Sequence, residues 1–407
     1  MIHEELEGQD RQAAHLAAGF NGLVDVDLLL AKILASARKM VMAEAGTIYM
    51  VAGGRLRFAS VQNDYLERLV PESGDLPFMG TSIDIGPTTL AGYAAANRTV
   101  LTVNNTDNID LDAPFQHQKN IDSSNNYVCQ TVMSLPLVTP LDDLLGVLQV
   151  INPMNSAGQV TEFGQGEELS LTLLARHAAM ALEKALMLHA SVLNSLRLVE
   201  IHDYTETSAH VQRVASLTTA IYRNWSQRNR VPSKEREHVL NILPLAAMLH
   251  DVGKAWIPSH ILNKPGRLDR LEREVMEGHV LVGAKLYAAN RSPLDRLAHS
   301  IIIDHHERWD GLGYPGPKTD GGPAGHGRPA QGKKGEDISI YGRILAVADV
   351  FDALSSRKTY KEPFDESLAV QIMEQESGHH FDPAVIESFL AIRPILRKIR
   401  ERFPEDD

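Results

Sequence analysis

The longest uninterrupted segment of the chain constrains its fold most. Residues 167–203 contain no proline and no glycine, and apolar side chains recur there three and four positions apart: Leu171, Leu174, Ala178, Ala181, Leu182, Leu186, Leu193 and Leu196. This spacing predicts one long amphipathic helix. A helix of this length without internal caps favours a coiled-coil seam between two subunits, and a helix packed on its own domain is the alternative.

The residues before this helix mix helical and strand patterns. Residues 23–43 carry apolar side chains at helical spacing. Residues 47–51 and 56–61 flank a Gly-Gly turn, and residues 132–138 and 144–151 flank Pro140-Leu141-Asp142-Asp143. Both arrangements are typical of β-hairpins. This half is therefore predicted to be an α+β domain, an antiparallel sheet flanked by helices.

The residues after the long helix read as helices joined by loops, which predicts an all-α domain. Turn signals such as Asn263-Lys264-Pro265-Gly266 separate the helical segments. We divide the chain into an N-terminal tail at 1–22, a first domain at 23–188 that ends in the long linker helix, and a second domain at 189–407.

Composition excludes several classes of protein. The chain has 407 residues and a formal net charge of −12, which argues against a DNA- or RNA-binding surface. Cys129 is the single cysteine, so no internal disulfide forms and a reducing cytoplasm fits. The acidic first ten residues do not resemble a signal peptide, and no run of 18 apolar residues predicts a membrane span.

Candidate metal ligands are concentrated in the second half. The eight residues are Glu206, His210, His250, Asp251, His279, His305, His306 and Asp349. Eight nitrogen and oxygen ligands are too many for one ion and suit two or three ions that share bridging carboxylates. An oxygen-activating di-iron protein uses similar ligands, but Lys254 favours phosphate chemistry because a cation is a poor ligand and a good phosphate contact.

Local spacing predicts how these ligands are presented. Glu206 and His210 are four residues apart, so they share one face of a helix. His305 and His306 are consecutive, so on a helix they diverge by about 100° and serve different ions. Asp349 lies in an apolar helix, where a buried carboxylate needs a partner such as a metal.

Two motifs in this half resemble the HD-GYP family of cyclic di-GMP phosphodiesterases. They are His250-Asp251 with Lys254, and His305-His306-Glu307 followed by Asp310-Gly311 and Gly313-Tyr314-Pro315. The resemblance covers residues 198 to 396. It implies an all-helical domain that binds two or three iron or manganese ions through the eight ligands, with Glu206 as the extra carboxylate of three-metal members.

The same resemblance implies roles for further residues. Asp251 and Lys254 are expected to be catalytic, with Lys254 contacting substrate phosphate, and the segment from Asp310 through Gly311 and Gly313 to Tyr314 to shape the substrate pocket. The chain departs from the family at Gly316–Glu336, which is longer than the usual connection and contains Lys318, Lys333 and Lys334. It also has Lys358-Thr359-Tyr360-Lys361 where the family has an arginine before Pro-Tyr-Lys, so Lys358 and Lys361 are the expected substrate contacts there.

The first half resembles a GAF sensory domain over residues 25 to 185. The resemblance rests on residues 43–49, on Gln62-Asn63-Asp64, and on residues 146–153. It implies regulation by a small molecule that the sequence does not identify.

The two resemblances together predict a cytoplasmic, GAF-regulated, metal-dependent phosphodiesterase that acts as a homodimer and cleaves cyclic di-GMP to pGpG and possibly GMP. Another cyclic dinucleotide, such as 3′,3′-cyclic GMP-AMP, is the alternative substrate. A receptor that binds cyclic di-GMP without cleaving it is the alternative from a different functional class.

Overall fold

A computed structural model describes residues 16–65, 81–110, 112–116, 128–201, 203, 207–316, 332–356 and 364–404. The chain consists of two compact units, Met1–Leu188 and His189–Asp407. Glu206, Lys318, Lys358 and Lys361 lie outside the described residues.

The first unit is built on a six-stranded antiparallel sheet with the strand order β3-β2-β1-β6-β5-β4. The strands are β1 (Ala43–Ala52), β2 (Arg55–Asn63), β3 (Ser82–Asp84), β4 (Leu101–Val103), β5 (Val132–Val138) and β6 (Leu144–Pro153). Both predicted hairpins are present, as β1–β2 and β5–β6. Gly53 and Gly54 have positive φ in the first turn, a backbone conformation that glycine adopts without strain.

Helices cover both faces of this sheet, as predicted for an α+β domain. They are α1 (Val26–Met40), α2 (Leu90–Asn97) and the first part of α3 (Gln165–Glu200). Alternation along the strands sends Ile48 and Leu148 to the core shared with α1 and α3, and Tyr49 and Val147 to the smaller cluster beside α2. Ala17 and Phe20, within the range assigned to an N-terminal tail, are also buried in the larger core.

The second unit consists of helices, as predicted. They are α4 (Ser208–Arg228), α5 (Ser233–Met248), α6 (Ser259–Leu262), α7 (Arg270–Tyr287), α8 (Pro293–Asp304), α9 (Ile340–Ser355), α10 (Glu366–Gln375), α11 (Pro383–Ala391) and α12 (Arg393–Arg402). α4 packs against α5 and α9, and α7 packs against α8 and the 3₁₀ turn Val252–Trp256. Fully buried aliphatic side chains, including Val214, Leu243, Ile301 and Val347, fill the space between them.

The long predicted helix is α3, and its bounds include the division between the units. Leu171, Leu174 and Leu182 are buried in the core of the first unit, while Met180 and Met187 are more than half exposed. None of the described helices combines the length and hydropathy needed to cross a membrane.

The core of the first unit generates a stability prediction. Leu148 is fully buried between α1 and α3, so Leu148→Ala should lower the free energy of unfolding of this unit by about 2–5 kcal/mol, because the change removes buried methyl groups and leaves a cavity. Leu141→Ala is the control, since Leu141 is 81% exposed. Urea unfolding measures both, and equal midpoints for the two variants would contradict the assigned core.

Candidate metal centre

The second unit gathers imidazoles and carboxylates into two groups whose ligand atoms lie within 4.8 Å of one another. The first group is Asp251, His279, His305 and His306, and the second is His210, His250 and Asp349. All seven described members of the predicted ligand set belong to one of these groups. Each group has the nitrogen and oxygen donors that divalent first-row metals accept.

The carboxylate of Asp251 lies between the two groups. Its Oδ1 is 2.9 Å from Nε2 of His279 and 3.3 Å from Nε2 of His305. Its Oδ2 is 3.4 Å from Nε2 of His250 and 2.8 Å from Nζ of Lys254. Because the two oxygens face different groups, the carboxylate of Asp251 connects the two groups.

Three histidines are oriented in the same way by backbone carbonyls. Nδ1 donates to the carbonyl oxygen three residues earlier, from His250 to Ala247 at 2.9 Å, from His279 to Met276 at 2.7 Å and from His305 to Ile302 at 2.9 Å. A carbonyl only accepts, so Nδ1 carries the proton and the lone pair remains on Nε2. Such contacts to a neighbouring group fix the tautomer and direction of metal-binding histidines.

Buried polar atoms of the first group test whether a metal fits. Oδ1 of Asp251, Nε2 of His279 and Nε2 of His305 are buried without a hydrogen-bond partner, and their close approaches lack hydrogen-bond geometry. Leaving such atoms unsatisfied is costly, and a cation that accepts all three lone pairs removes the cost. The donor set therefore fits a bound divalent ion.

The protonation states of this group also suit a metal. Burial lowers the pKa of His305, and burial together with the charge of His305 holds the pKa of His306 well below its ordinary value. Burial would raise the pKa of Asp251, but Lys254 and His250 outweigh burial and hold that pKa well below the ordinary value. Neutral imidazoles and an ionised carboxylate are the forms that bind metal.

His210 reaches the second group with the support of a buried ion pair. Its Nε2 lies 3.6 Å from Oδ1 of Asp349, and its Nδ1 donates to Oδ2 of Asp352 at 2.8 Å. Nε of Arg213 donates to Oδ1 of Asp352 at 2.7 Å. Burial alone would raise the pKa of Asp352, but the hydrogen bonds from His210 and Arg213 hold it below the ordinary value.

Sequence family comparisons assign both units. The GAF domain profile matches residues 25–182, and the HD domain profile matches residues 207–354. The chain joins a GAF domain to an HD domain. This assignment confirms the resemblances drawn from the motifs.

Several curated relatives each match about half of the chain. The 3′3′-cGAMP-specific phosphodiesterase 2 of Vibrio cholerae is 38% identical over 47% of this chain and 34% of its own length. A cyclic di-GMP phosphodiesterase of the same organism is 36% identical over 49% of this chain and 39% of its length. A cyclic di-GMP phosphodiesterase of Thermotoga maritima is 34% identical over 53% of this chain and 52% of its length. The chain thus spans about a third to a half of the length of these relatives.

His305 and His306 differ from the sequence expectation. α8 ends at Asp304, and His305 is its C-cap with helical backbone angles. The two imidazole ring centroids are 4.1 Å apart, and both rings belong to the group that contains Asp251 and His279.

Lys254 and Asp203 form a contact that the sequence analysis missed. Nζ of Lys254 is 3.3 Å from Oδ2 of Asp203 and 2.8 Å from Oδ2 of Asp251. Asp203 is 2% exposed. It stands at the end of the predicted helix, where nothing in the local pattern marks it as part of the site. The 3₁₀ turn that presents Lys254 requires Gly253, because a Cβ there would lie 2.0 Å from the carbonyl oxygen of His279.

The Asp310–Tyr314 segment is held mainly by its own contacts. Asp310 accepts two hydrogen bonds from Arg308, at 3.1 and 2.7 Å, and one from the backbone N–H of Leu312. A Cβ on Gly313 would lie 2.5 Å from the carbonyl oxygen of His306, so this glycine permits close approach to the chain itself rather than to a ligand. Tyr314 stacks on His306 with ring centroids 4.8 Å apart.

The insertion after this segment is closed at its base by Glu307. This buried carboxylate accepts from the backbone N–H of Gly316 at 2.7 Å and of Lys333 at 2.9 Å. The side chain of Lys333 is itself paired with Asp304 at 2.5 Å. Both contacts place Lys333 at the base of the insertion.

The contact between His210 and Asp352 generates a prediction about metal affinity. Asp352→Asn removes the charge that orients His210, so the apparent Kd for Mn²⁺ should rise about 10- to 100-fold, as is usual when a group supporting a ligand is lost. Asp382→Asn is the matched control, because Asp382 is also buried and paired with an arginine, Arg343 at 2.7 Å, outside both ligand groups. Manganese titration of both variants is the measurement, and equal affinities would assign Asp352 to stability alone.

Proposed function

We propose that this protein is a metal-dependent phosphodiesterase that hydrolyses cyclic di-GMP to pGpG, and further to GMP, under the control of its GAF domain. The observation that carries the proposal is the position of Asp251 between two histidine-rich groups, with Lys254 in contact with it. The names of the relatives support the substrate class, although the chain covers only part of each of them.

The ligand assignment follows the two groups. Asp251, with His279, His305 and His306, would hold one ion, and His210, His250 and Asp349 would hold another. Glu206 is proposed as the ligand that adds a third. Iron and manganese are the proposed metals. Such ions, when bound in pairs, supply a hydroxide at neutral pH and offset negative charge on phosphoryl oxygens.

The chain's own residues position the substrate beside these ligands. Lys254 adds a positive charge next to Asp251, where it can bind a phosphate oxygen as charge accumulates on it. Tyr314 lies against His306 and limits the space beside the ligands. The proposed substrate contacts are Lys254, Asp310, Gly311, Gly313, Tyr314, Lys358 and Lys361, with Asp310 and the glycines acting through the shape of their loop.

A second candidate substrate is 3′,3′-cyclic GMP-AMP. One relative, 38% identical over 199 residues, is named as specific for that nucleotide. This chain also has Lys358 where cyclic di-GMP phosphodiesterases of the HD-GYP family are expected to carry arginine. Lysine lacks the planar fork that binds two acceptors at once, so the contact with substrate differs there.

We further propose that the GAF domain binds a small molecule and that the chain dimerises through α3. Met180 and Met187 on this helix are more than half exposed. A change in helix rotation or register is then the route by which a GAF ligand acts on hydrolysis.

Metal dependence is the central test of the proposed activity. The double variant His250→Ala, Asp251→Ala removes a ligand from each group, so it should lose most bound metal and all measurable hydrolysis. Protein purified without oxygen and supplied with Fe²⁺ or Mn²⁺ is offered cyclic di-GMP and 3′,3′-cyclic GMP-AMP, and products are separated by chromatography. His260→Ala, which removes an exposed imidazole outside both groups, is the control.

The outcomes separate the functional classes. Hydrolysis by the metal-depleted double variant would rule out the mechanism. Tight binding of cyclic di-GMP by the unmodified, metal-loaded protein without cleavage would identify a receptor. Oxygen consumption without diester cleavage would identify di-iron chemistry.

Lys254 is predicted to act on the phosphate rather than on the metal. Lys254→Ala should lower kcat about 10²- to 10³-fold, since one positioned charge is worth a few kcal/mol in the transition state, and should leave the metal content near normal. Lys285→Ala, an exposed lysine of α7, is the control. Elemental analysis accompanies the kinetics, and loss of metal from Lys254→Ala would show that the lysine holds Asp251 in place instead.

A further inference from the structure

A cavity of about 430 Å³ opens beside the first ligand group. It is lined by Arg267, Leu268, Arg273, Met276, Glu277 and Tyr314. Two of the lining residues, Tyr314 and Met276, contact histidines of the first ligand group. The ring of Tyr314 stacks on His306, and the carbonyl oxygen of Met276 accepts the hydrogen bond from Nδ1 of His279. A ligand in this cavity is therefore next to any group held by the metal ligands.

The size of the cavity limits its occupant. Pockets for small molecules span about 300–1,000 Å³, so this one suits a single nucleotide rather than a whole cyclic dinucleotide. If the scissile phosphate lies at the metal ligands, the rest of a cyclic dinucleotide must extend into a neighbouring space. The cavity beside Tyr314 provides such a space.

The polar lining of the cavity has a definite chemistry. Arg273 and Glu277 are four residues apart on α7, so they share one face of that helix, with Met276 beside them. Arg267 adds a second positive charge from the preceding loop. Glu277 is half-buried. Burial raises the pKa of Glu277, and neighbouring Arg273 opposes that rise.

These groups match guanine better than adenine. An ionised carboxylate only accepts hydrogen bonds, and the Watson–Crick edge of guanine offers two adjacent donors, N1–H and the N2 amino group. Adenine instead presents the lone pair of N1, which a carboxylate repels. An arginine fork also matches the O6 and N7 acceptors of guanine. The lining therefore combines an attraction for one base with a penalty for the other.

We propose that this cavity is the base-selecting subsite of the enzyme, in which Glu277 recognises the guanine of the nucleotide farther from the metals and Arg273 binds the same nucleotide. The inference rests on the proposed cyclic dinucleotide function and makes it more specific. It assigns guanine selectivity to a residue outside the two motifs that carry the family resemblance.

α7 itself offers matched control residues. Arg270 and Glu274 have the same types and the same four-residue spacing as Arg273 and Glu277, and they pair with each other at 3.2 Å. Both are exposed, and neither lines the cavity. A substitution of Arg270 or Glu274 therefore changes the charge of α7 by as much as the matching substitution of Arg273 or Glu277, and it leaves the proposed subsite unchanged.

The test measures binding, so that it does not depend on turnover. Phosphorothioate analogues of cyclic di-GMP and cyclic di-AMP, which resist hydrolysis, are titrated by calorimetry into the full chain loaded with Mn²⁺. We expect the unmodified protein to prefer the guanine analogue by about 100-fold, which is less than fully buried hydrogen-bonding groups give, because Glu277 is only half-buried. Glu277→Gln should reduce this preference at least 10-fold, and Glu274→Gln should leave it unchanged. Arg273→Ala should weaken binding of the guanine analogue more than binding of the adenine analogue, and Arg270→Ala should weaken neither.

Two results would overturn the subsite. One is an unchanged ratio of the two Kd values in Glu277→Gln, and the other is an equal loss of preference in Glu274→Gln. Hydrolysis of bis(p-nitrophenyl) phosphate by the unmodified protein tests the metal centre separately, because this diester carries no base. Cleavage of that diester without base preference would refute the subsite alone, and base-selective binding without any diester cleavage would refute the enzyme and retain the subsite.

Discussion

The carboxylate of Asp251 is the contact on which the arrangement of the second unit depends. One oxygen faces His279 and His305, and the other faces His250 and Lys254. These partners come from different parts of the chain, and every one of them is largely buried. A buried negative charge needs a nearby cation, which Lys254 supplies, and the lone pairs that face it from the imidazoles need one as well, so the residues around it must be fixed together.

The ends of helices provide much of this fixation. α5 ends at Met248, just before His250, and α8 ends at Asp304, just before His305. The last carbonyls of a helix lack partners within the helix. The imidazole Nδ1 atoms of His250 and His305 donate to carbonyls in these last turns, which directs Nε2 toward the site. His210 is oriented by a side chain instead. Its Nδ1 donates to the carboxylate of Asp352, which also accepts a hydrogen bond from Arg213.

The residues around the candidate metal ligands are of two kinds. Some hold the backbone in place, and others line a cavity. Gly253, Gly313 and Glu307 act on the chain, since the glycines allow segments to approach closely and the carboxylate closes the base of the insertion. Arg273 and Glu277 instead line an open cavity next to Tyr314. Under the proposed function, substrate choice is separate from the geometry of the two ligand groups, and the relatives are indeed named for different cyclic dinucleotides.

The sequence by itself determined the two fold classes, the hairpins, the long helix and the seven described candidate residues that the structure gathers into two groups. Hydrophobic periodicity and turn residues predict local structure. An adjacent His-Asp pair offers the same nitrogen and oxygen donors whatever the fold around it. Asp352, Asp203 and Glu307 could not be found in this way, because each acts on a residue that is distant in sequence or belongs to a separate element. The placement of His305 and His306 in one group, and the cavity beside Tyr314, were also decided by tertiary structure. Both depend on contacts between segments that are distant in sequence, which a local pattern does not encode.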